Sequence, residues 1–304
     1  MGRERRGPGA DRARAISDVA TAGAAAPAHA VAVRSARARR TGRPSSQRGR
    51  IQLIGGVAVL LLVLLVPVVA PEAPSGAGLQ LSAPSAEHLF GTDRFGRDVF
   101  DRFLAGGQMV TVMSIAAGAI AAVGGALIGM LAGYRRGPID AALMRSVDVL
   151  LAMPPLLLIL VFVAALPRSN AFVVVLVGVL LMPGAARIMR GITQQIAARE
   201  YIASAEAAGE RAASILVREI LPNVRARLVL EWALRTSFAV LVLASLNFLG
   251  VGVSPTSSDW GVAINEGKEV ITVAPWVCLA PALGIVMLVM AINVIADGLG
   301  ELWR

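Results

Sequence analysis

The residues of this 304-residue chain that could do chemistry are few and scattered along it. The single lysine, Lys268, follows the glycines Gly261 and Gly267, in a spacing close to that of a phosphate-binding loop. That loop needs four residues between its glycines and a Ser or Thr after the lysine to hold magnesium. Five residues separate the glycines here, and Glu269 follows the lysine. We therefore expect that the chain does not hydrolyse ATP by itself.

The sequence also offers no cluster of residues suited to metal binding or to covalent catalysis. His29 and His88 lie far apart in loops, and no His, Cys and acidic residues share a ligand-like spacing. The one cysteine, Cys278, lies in an apolar run, which excludes a disulfide-stapled secreted domain. No nucleophile can be paired with a base. The sequence predicts no enzyme, no metal site and no cofactor.

Composition indicates what the chain is instead. Hydrophobic residues make up 56% and charged residues 16%, which is too apolar for a soluble domain. The net charge of +9 is typical of a nucleic-acid binder, but it lies entirely in residues 1–50, which hold twelve arginines and three acids. The remaining 254 residues are neutral overall. We expect a membrane protein that contacts lipid and binds no nucleic acid.

Six apolar stretches have the length of membrane-spanning helices, at residues 51–70, 108–133, 146–166, 171–190, 229–250 and 275–296. Helices are required because lipid offers no partner to a bare peptide group. The predicted fold is an all-α integral membrane protein with six transmembrane helices. Its predicted parts are a disordered tail at 1–50, a first helix at 51–70, an extracytoplasmic segment at 71–106 and a five-helix core at 107–300.

Basic residues set the expected orientation. With the N-terminal tail inside, the inner segments hold twenty-three arginines, and the outer segments hold five basic and eight acidic residues. The positive-inside rule therefore predicts that both termini are cytoplasmic.

Two local features of the spans carry further expectations. Glycines at 125, 129 and 133 form a ridge along the second span that favours close helix packing, or a moving helix in a conduit. Met153-Pro154-Pro155 predicts a kink in the third span.

Polar groups within the spans are sparse. Asp148, Glu231, Arg235 and Asp297 lie towards inner ends, whereas an ion-coupled carrier normally keeps its acids near the midplane. This argues against a secondary transporter, which stays as an alternative. The polar residues near midspan are Ser245, Asn247 and Asn293. They either line a path or hydrogen-bond between helices.

A long inner loop, residues 191–227, predicts a helix–turn–helix around Gly209. Alanines before Gly209 make a slim first arm that fits a groove. Ile215, Leu216, Ile220 and Leu221 give the second arm an apolar face, and Pro222 is expected to end it.

This loop resembles the coupling loop of the inner-membrane permease subunits of ABC importers. That loop reads Glu-Ala-Ala, three residues, Gly, nine residues and then Ile-x-Leu-Pro. Counted from Gly209, the first triplet corresponds to Ala203, Ser204 and Ala205, so its first two positions depart from the pattern. Leu221 and Pro222 match it, and Glu219 stands at the Ile position.

Other segments resemble the second permease of dipeptide and oligopeptide importers. They are Gly91-Thr-Asp-x-x-Gly-Arg-Asp98, 140–155, 244–255 with Asp259-Trp260-Gly261, and 274–299. The resemblance covers about 51–304 and implies a type I ABC importer permease fold.

The resemblance also implies the partners and the mechanism. A second permease would complete the path, two ABC ATPase subunits would each grip one coupling loop, and an extracytoplasmic substrate-binding protein would deliver the solute. ATP-driven closure of the ATPases would push on residues 200–222 and turn the spans outward-open. The implied location of the complex is the bacterial inner membrane. The implied cargo is di- or oligopeptide, with nickel or another small solute as the alternative.

The outer segments carry the remaining candidate residues. Asp93, Arg97 and Asp98 either organise the entrance and meet the partner permease, or staple the loop by local ion pairs. Trp260 either contacts the binding protein or anchors at the membrane interface.

Overall fold

A computed structural model describes residues 45–69, 78–166, 169–252 and 258–302. Most of these residues are helical, and the described ranges contain a single isolated bridge, between Thr92 and Asp98. The first 44 residues of the predicted tail lie outside the described residues.

The helices are numbered in chain order. They are α1 (Ser45–Val69), α2 (Val99–Arg135), α3 (Gly137–Leu151), α4 (Pro155–Ala165), α5 (Asn170–Ala197), α6 (Glu200–Ala207), α7 (Ala212–Ile215), α8 (Leu221–Phe248), α9 (Trp260–Gly267) and α10 (Trp276–Leu302). A π-helical segment, Leu216–Ile220, joins α7 to α8, and a 3₁₀ turn, Lys268–Val270, follows α9.

Within the described residues, five helices are long and apolar enough to cross a membrane, or six if one bent pair counts as a span. The pair is α3 and α4, which meet at 81°. The break begins after Leu151 and ends at Pro155. The predicted kink is therefore confirmed. It arises because proline lacks the N–H that would continue the hydrogen-bond ladder of the helix. The all-helical architecture agrees with the predicted fold class.

Two predicted boundaries were wrong by several residues. Helix α1 begins at Ser45, so residues 45–50 of the predicted tail belong to the first helix. Helix α2 begins at Val99 rather than at 108. Asp98 caps it, because its side chain accepts hydrogen bonds from the N–H groups of Phe100 and Asp101. Hydropathy detects the membrane-embedded part of a helix, whereas its capping residue sets where the helix begins.

The glycine ridge of α2 packs directly on α5. A Cβ added at Gly125 would lie 2.6 Å from the Cβ of Ala185, and one at Gly129 would lie 2.4 Å from the carbonyl oxygen of Ala186. One at Gly133 would lie 2.7 Å from the carbonyl oxygen of Arg190. The ridge therefore serves close helix packing, as small residues do where helices meet in lipid.

The bundle has two ends, which are named here by their contents. The hairpin end carries α6 and α7, which cover an apolar cluster that includes Met130, Met189 and Ile196. The loop end carries residues 78–98 and α9, which pack on α2 and α10. The main core lies between the two ends and joins α2, α4, α5, α8 and α10.

Candidate functional site

The hairpin is formed by α6, the turn at 208–211 and α7. Gly209 has φ of +78°, the left-handed region that glycine enters without a steric penalty. The N–H of Gly209 donates to the carbonyl of Glu206, and the N–H of Glu210 donates to that of Ala205. This pair of bonds is the Schellman motif, which satisfies the last carbonyls of α6. The predicted helix–turn–helix around Gly209 is present.

Three isoleucines fix the hairpin to the bundle. Ile202 on α6, Ile215 on α7 and Ile220 in the π segment are all 0% exposed within the cluster at the hairpin end. The apolar side of the second arm therefore packs inward. The hairpin stands on the end of the bundle with its opposite side in the open.

The predicted coupling residues divide between these two sides. Ala203, Ser204 and Gly209 are exposed, and no atom lies within 4 Å of a Cβ added at Gly209. Ala205 and Leu221 are partly buried against the apolar cluster. The exposed face thus includes small side chains and bare backbone, which another protein can approach closely, alongside Tyr201, Glu206 and Glu210.

Pro222 does not end the second arm. It lies in the first turn of α8, exposed, and the chain runs helically from Ala212 to Phe248. The π segment makes this possible: the N–H of Leu221 donates to the carbonyl of Leu216, five residues earlier. The wider turn accommodates a proline whose missing N–H would interrupt an ordinary α-helix. The second arm of the hairpin is consequently joined to one continuous helix that crosses the bundle.

Four charged residues form a network at the loop end. Asp93, which is 2% exposed, accepts from Arg97 and Arg102 at 2.8 Å each. Both arginines also reach Glu266 of α9, at 2.7 and 2.8 Å. Asp93 further accepts from the N–H groups of Phe95 and Arg97. The network ties residues 93–97, α2 and α9 together, and its opposite charges compensate one another.

Asp98 also makes its contacts within the chain. Besides capping α2, its carboxylate lies 2.7 Å from Nδ1 of His88. The contacts of Asp93, Arg97 and Asp98 support the local ion-pair alternative. Sequence reasoning missed Arg102 and Glu266. The available signal was their opposite charge at the edges of the two outer segments, but nothing in the sequence indicated that these edges meet.

Trp260 is not a surface residue, which corrects both expectations for it. Its side chain is 2% exposed and lies between α2 and α10. The indole N–H donates to the carbonyl of Phe103 at 2.8 Å, and the two rings stack at 5.7 Å. Room for the indole comes from the missing side chains of Gly106, Gly107 and Gly284. Trp260 thereby fixes α9 to the bundle.

Asp259 caps α9 and is held by Asn247. The carboxylate accepts from the Asn247 amide at 2.7 Å and from the N–H of Gly261 at 2.8 Å. Burial raises the pKa of Asp259 above its ordinary value, and these two hydrogen bonds oppose that shift. Asn247 is 4% exposed. Its amide joins α8 to α9. For Asn247 this contact supports hydrogen bonding between helices rather than a role in lining a path.

The other two polar residues near midspan differ in their contacts. Asn293 of α10 accepts from the hydroxyl of Ser237 of α8 at 3.2 Å, so it links two spans. Ser245 donates to the carbonyl of Leu241 within its own helix.

Comparisons with known proteins agree with this architecture. Residues 125–303 match the family described as "Binding-protein-dependent transport system inner membrane component". A protein of Brucella suis biovar 1, provisionally named a peptide transport system permease protein, is 35% identical over 253 residues, which cover 81% of this chain and 85% of the relative.

Two glutathione transport system permease proteins are also similar. The protein of Pectobacterium atrosepticum is 39% identical over 222 residues, 72% of each chain. The protein of Escherichia coli O6:K15:H31 is 38% identical over 224 residues, 72% of this chain and 73% of the relative. The family match alone spans more than half of this chain and includes α5, the hairpin and α8. The chain therefore belongs to the inner-membrane components of binding-protein-dependent transport systems, multi-pass permease subunits of ABC importers whose ATP hydrolysis is performed by partner subunits.

Proposed function

We propose that this permease carries peptides, and that its hairpin is the surface on which an ATPase subunit docks. The observation that carries the docking role is the construction of the hairpin. Its face of small residues, including Ala203, Ser204 and Gly209, is exposed, while isoleucines hold the opposite side rigidly on the bundle. A push on that face is transmitted through the π segment into α8, a helix continuous across the bundle.

The peptide cargo is supported by the names of the relatives, which refer to peptide and glutathione transport. The names of these relatives do not mention nickel, the alternative solute.

The full assembly in this proposal has one further permease, two ATPase subunits and an extracytoplasmic binding protein. The hairpin end and both termini are cytoplasmic, as the distribution of arginine indicates. The loop end faces the binding protein. In the working cycle, ATP-driven approach of the two ATPases moves the hairpins and shifts the permease pair between two arrangements of its helices.

A cysteine cross-linking experiment tests the docking assignment. The chain has one cysteine, so Cys278→Ser gives a cysteine-free background. In the assembled transporter, Ser204→Cys is expected to cross-link to an ATPase subunit, and Arg94→Cys, half-buried at the opposite end, to the binding protein. Cross-linking of Arg94→Cys to the ATPase, or of Ser204→Cys to the binding protein, would reverse the assignment of the two ends.

Uptake tests the cargo. The assembled transporter in proteoliposomes, supplied with ATP on the ATPase side, is expected to accumulate labelled trialanine or glutathione, and not nickel. Accumulation of nickel without either peptide would contradict the peptide assignment.

A further inference from the structure

An ionic cluster on α8 lies between the hairpin and the loop-end network. Glu231 of α8 is 0% exposed and is flanked on its own helix by Arg227 and Arg235, at 3.3 and 3.0 Å. The side chain of Arg227 is 42% exposed, so water solvates its charge, whereas that of Arg235 is only 14% exposed. Arg235 therefore depends on the acceptors around it, because a buried charge is costly without compensation.

The depth of this cluster follows from helix geometry. Arg235 is thirteen residues from Phe248, where α8 ends, so it lies about 20 Å below the loop end at the usual rise per residue. The hydrocarbon core of a bilayer is about 30 Å thick. Arg235 therefore lies within the depth of the membrane, beyond its midplane as seen from the loop end.

The neighbouring charges show which side of the bundle avoids lipid. Arg187 of α5 lies about 26 Å below the start of its helix and pairs with Asp148 at 2.6 Å. These two side chains are 57% and 56% exposed. Each such charge facing hydrocarbon would cost roughly 3 kcal/mol even on the mildest scale. The side of α3 and α5 that carries this pair thus faces water or protein.

Arg235 lies beside that same side of α5. Its guanidinium rests on Gly184, one turn from Arg187, and a Cβ added at Gly184 would lie 2.6 Å from Nη1. The bare backbone there leaves the space that the guanidinium occupies. Arg235 uses Nη2 to bind Glu231, and within the described residues neither Nε nor Nη1 has a hydrogen-bond acceptor. One edge of the guanidinium is held in place and Nε is buried, so Nη1 is the donor that remains for another anion.

We propose that Arg235, oriented by Glu231, binds a carboxylate of the peptide substrate as it passes through the transporter. This inference rests on the proposed peptide cargo. A guanidinium suits the task because its planar fork of donors matches a carboxylate and it stays charged at every physiological pH. Every peptide with a free C-terminus carries such a carboxylate. Asp148 and Asp140 do not compete for Arg235, since they already pair with Arg187 and Arg190.

Transport by charge variants provides the first test. The assembled transporter takes up whichever of trialanine and glutathione the wild type carries, and ATPase stimulation by the loaded binding protein is measured in parallel. Arg235→Met removes the charge but keeps the bulk, and is expected to slow uptake about tenfold or more with ATPase stimulation retained. Arg235→Lys keeps the charge and is expected to recover most of the uptake. Arg135→Met, which removes an exposed arginine at the end of α2, is the matched control and is expected to transport normally.

Wild-type uptake by Arg235→Met would overturn the inference. Loss of both uptake and ATPase stimulation in the Met and Lys variants alike would also overturn it, because that result marks a purely structural role. Failure of the wild type to carry either peptide is a distinct result, which contradicts the proposed cargo and with it this inference.

Accessibility provides the second test, in the Cys278→Ser background. Arg235→Cys is expected to react with a membrane-impermeant, negatively charged thiol reagent, and substrate is expected to slow that reaction. Leu241→Cys, on the same helix and exposed but among apolar residues, is the control that should stay unreactive. If the cysteine at 235 is inert in every nucleotide state of the transporter, Arg235 faces a protein interface and the proposal is wrong.

Discussion

At the loop end, charged side chains are buried and paired with one another, whereas at the hairpin end small side chains are exposed above an apolar base. Asp93 is 2% exposed with two arginine partners, and Trp260 is 2% exposed between two helices. Ala203, Ser204 and Gly209 are open to solvent. The difference indicates that the loop end is stabilised by contacts within the chain, and it agrees with the proposal that a partner completes the exposed face of the hairpin.

The hairpin side of this comparison is tested by Gly209→Glu, for which we expect the largest effect. The left-handed backbone disfavours any side chain by roughly 1 kcal/mol, but the open space around Gly209 means that the chain itself meets no clash. The protein should insert normally, while uptake falls about a thousandfold, the equivalent of ~4 kcal/mol, because an acidic side chain occupies the docking turn. Uptake and ATPase stimulation of the assembled transporter measure the effect.

Gly209→Asn is the matched control for that variant, since asparagine tolerates the left-handed conformation. It should transport within about threefold of wild type, less than 1 kcal/mol. If Gly209→Glu also transports normally, the hairpin is not the docking surface and the contrast between the two ends fails.

The loop end is tested next by Asp93→Asn. The substitution leaves Arg102, whose side chain is 5% exposed, and Arg97 sharing Glu266 as their remaining acidic partner. Breaking one member of a buried ion pair costs about 3 kcal/mol. We expect the midpoint of thermal unfolding in detergent to fall by several degrees. An unchanged midpoint would show that the network does not hold α9 on the bundle.

A smaller effect is expected from Trp260→Phe. The variant loses the hydrogen bond to the Phe103 carbonyl and leaves a void among three glycines, at a cost of about 2 kcal/mol. Thermal unfolding measures it, and Phe238→Leu, an exposed apolar change on α8, serves as the control. A midpoint equal to that of wild type would mean that the indole does not fix α9.

The smallest effect is expected from Glu269→Gln. Glu269 pairs with Arg94 at 2.8 Å, but the two side chains are 67% and 35% exposed. Water screens such a pair, and the loss should stay under about 1 kcal/mol. A loss as large as that of Asp93→Asn would mean that burial is not what distinguishes the network, which would remove the physical basis of the comparison.

Much of the fold could be predicted from the sequence, because its main signals are local. Apolar stretches indicated the spans, Pro154 and Pro155 indicated the break between α3 and α4, and Gly209 indicated the turn of the hairpin. Each depends on the hydrophobicity or backbone freedom of residues that are neighbours in the chain.

Helix ends and side-chain partners were harder to predict. Pro222 is an ordinary stop signal, yet the π segment carries the helix past it. Tryptophan is a residue type that commonly anchors helices at the membrane interface. Trp260 is nevertheless buried, because glycines far away in the sequence leave room for its indole. Such outcomes depend on residues separated by tens to hundreds of positions.

By itself, then, the sequence determined that this is a helical membrane protein with about six apolar stretches and a turn at Gly209, because hydrophobicity and turn residues act locally. Only the tertiary structure decided which charges meet. It brought Asp93 and Glu266, 173 positions apart, onto the same two arginines, and it placed Arg235 on Gly184 beside the exposed pair of Arg187 and Asp148. The physical reason is that an ion pair or a close packing contact depends on distance in space, which is set only once the helices have packed.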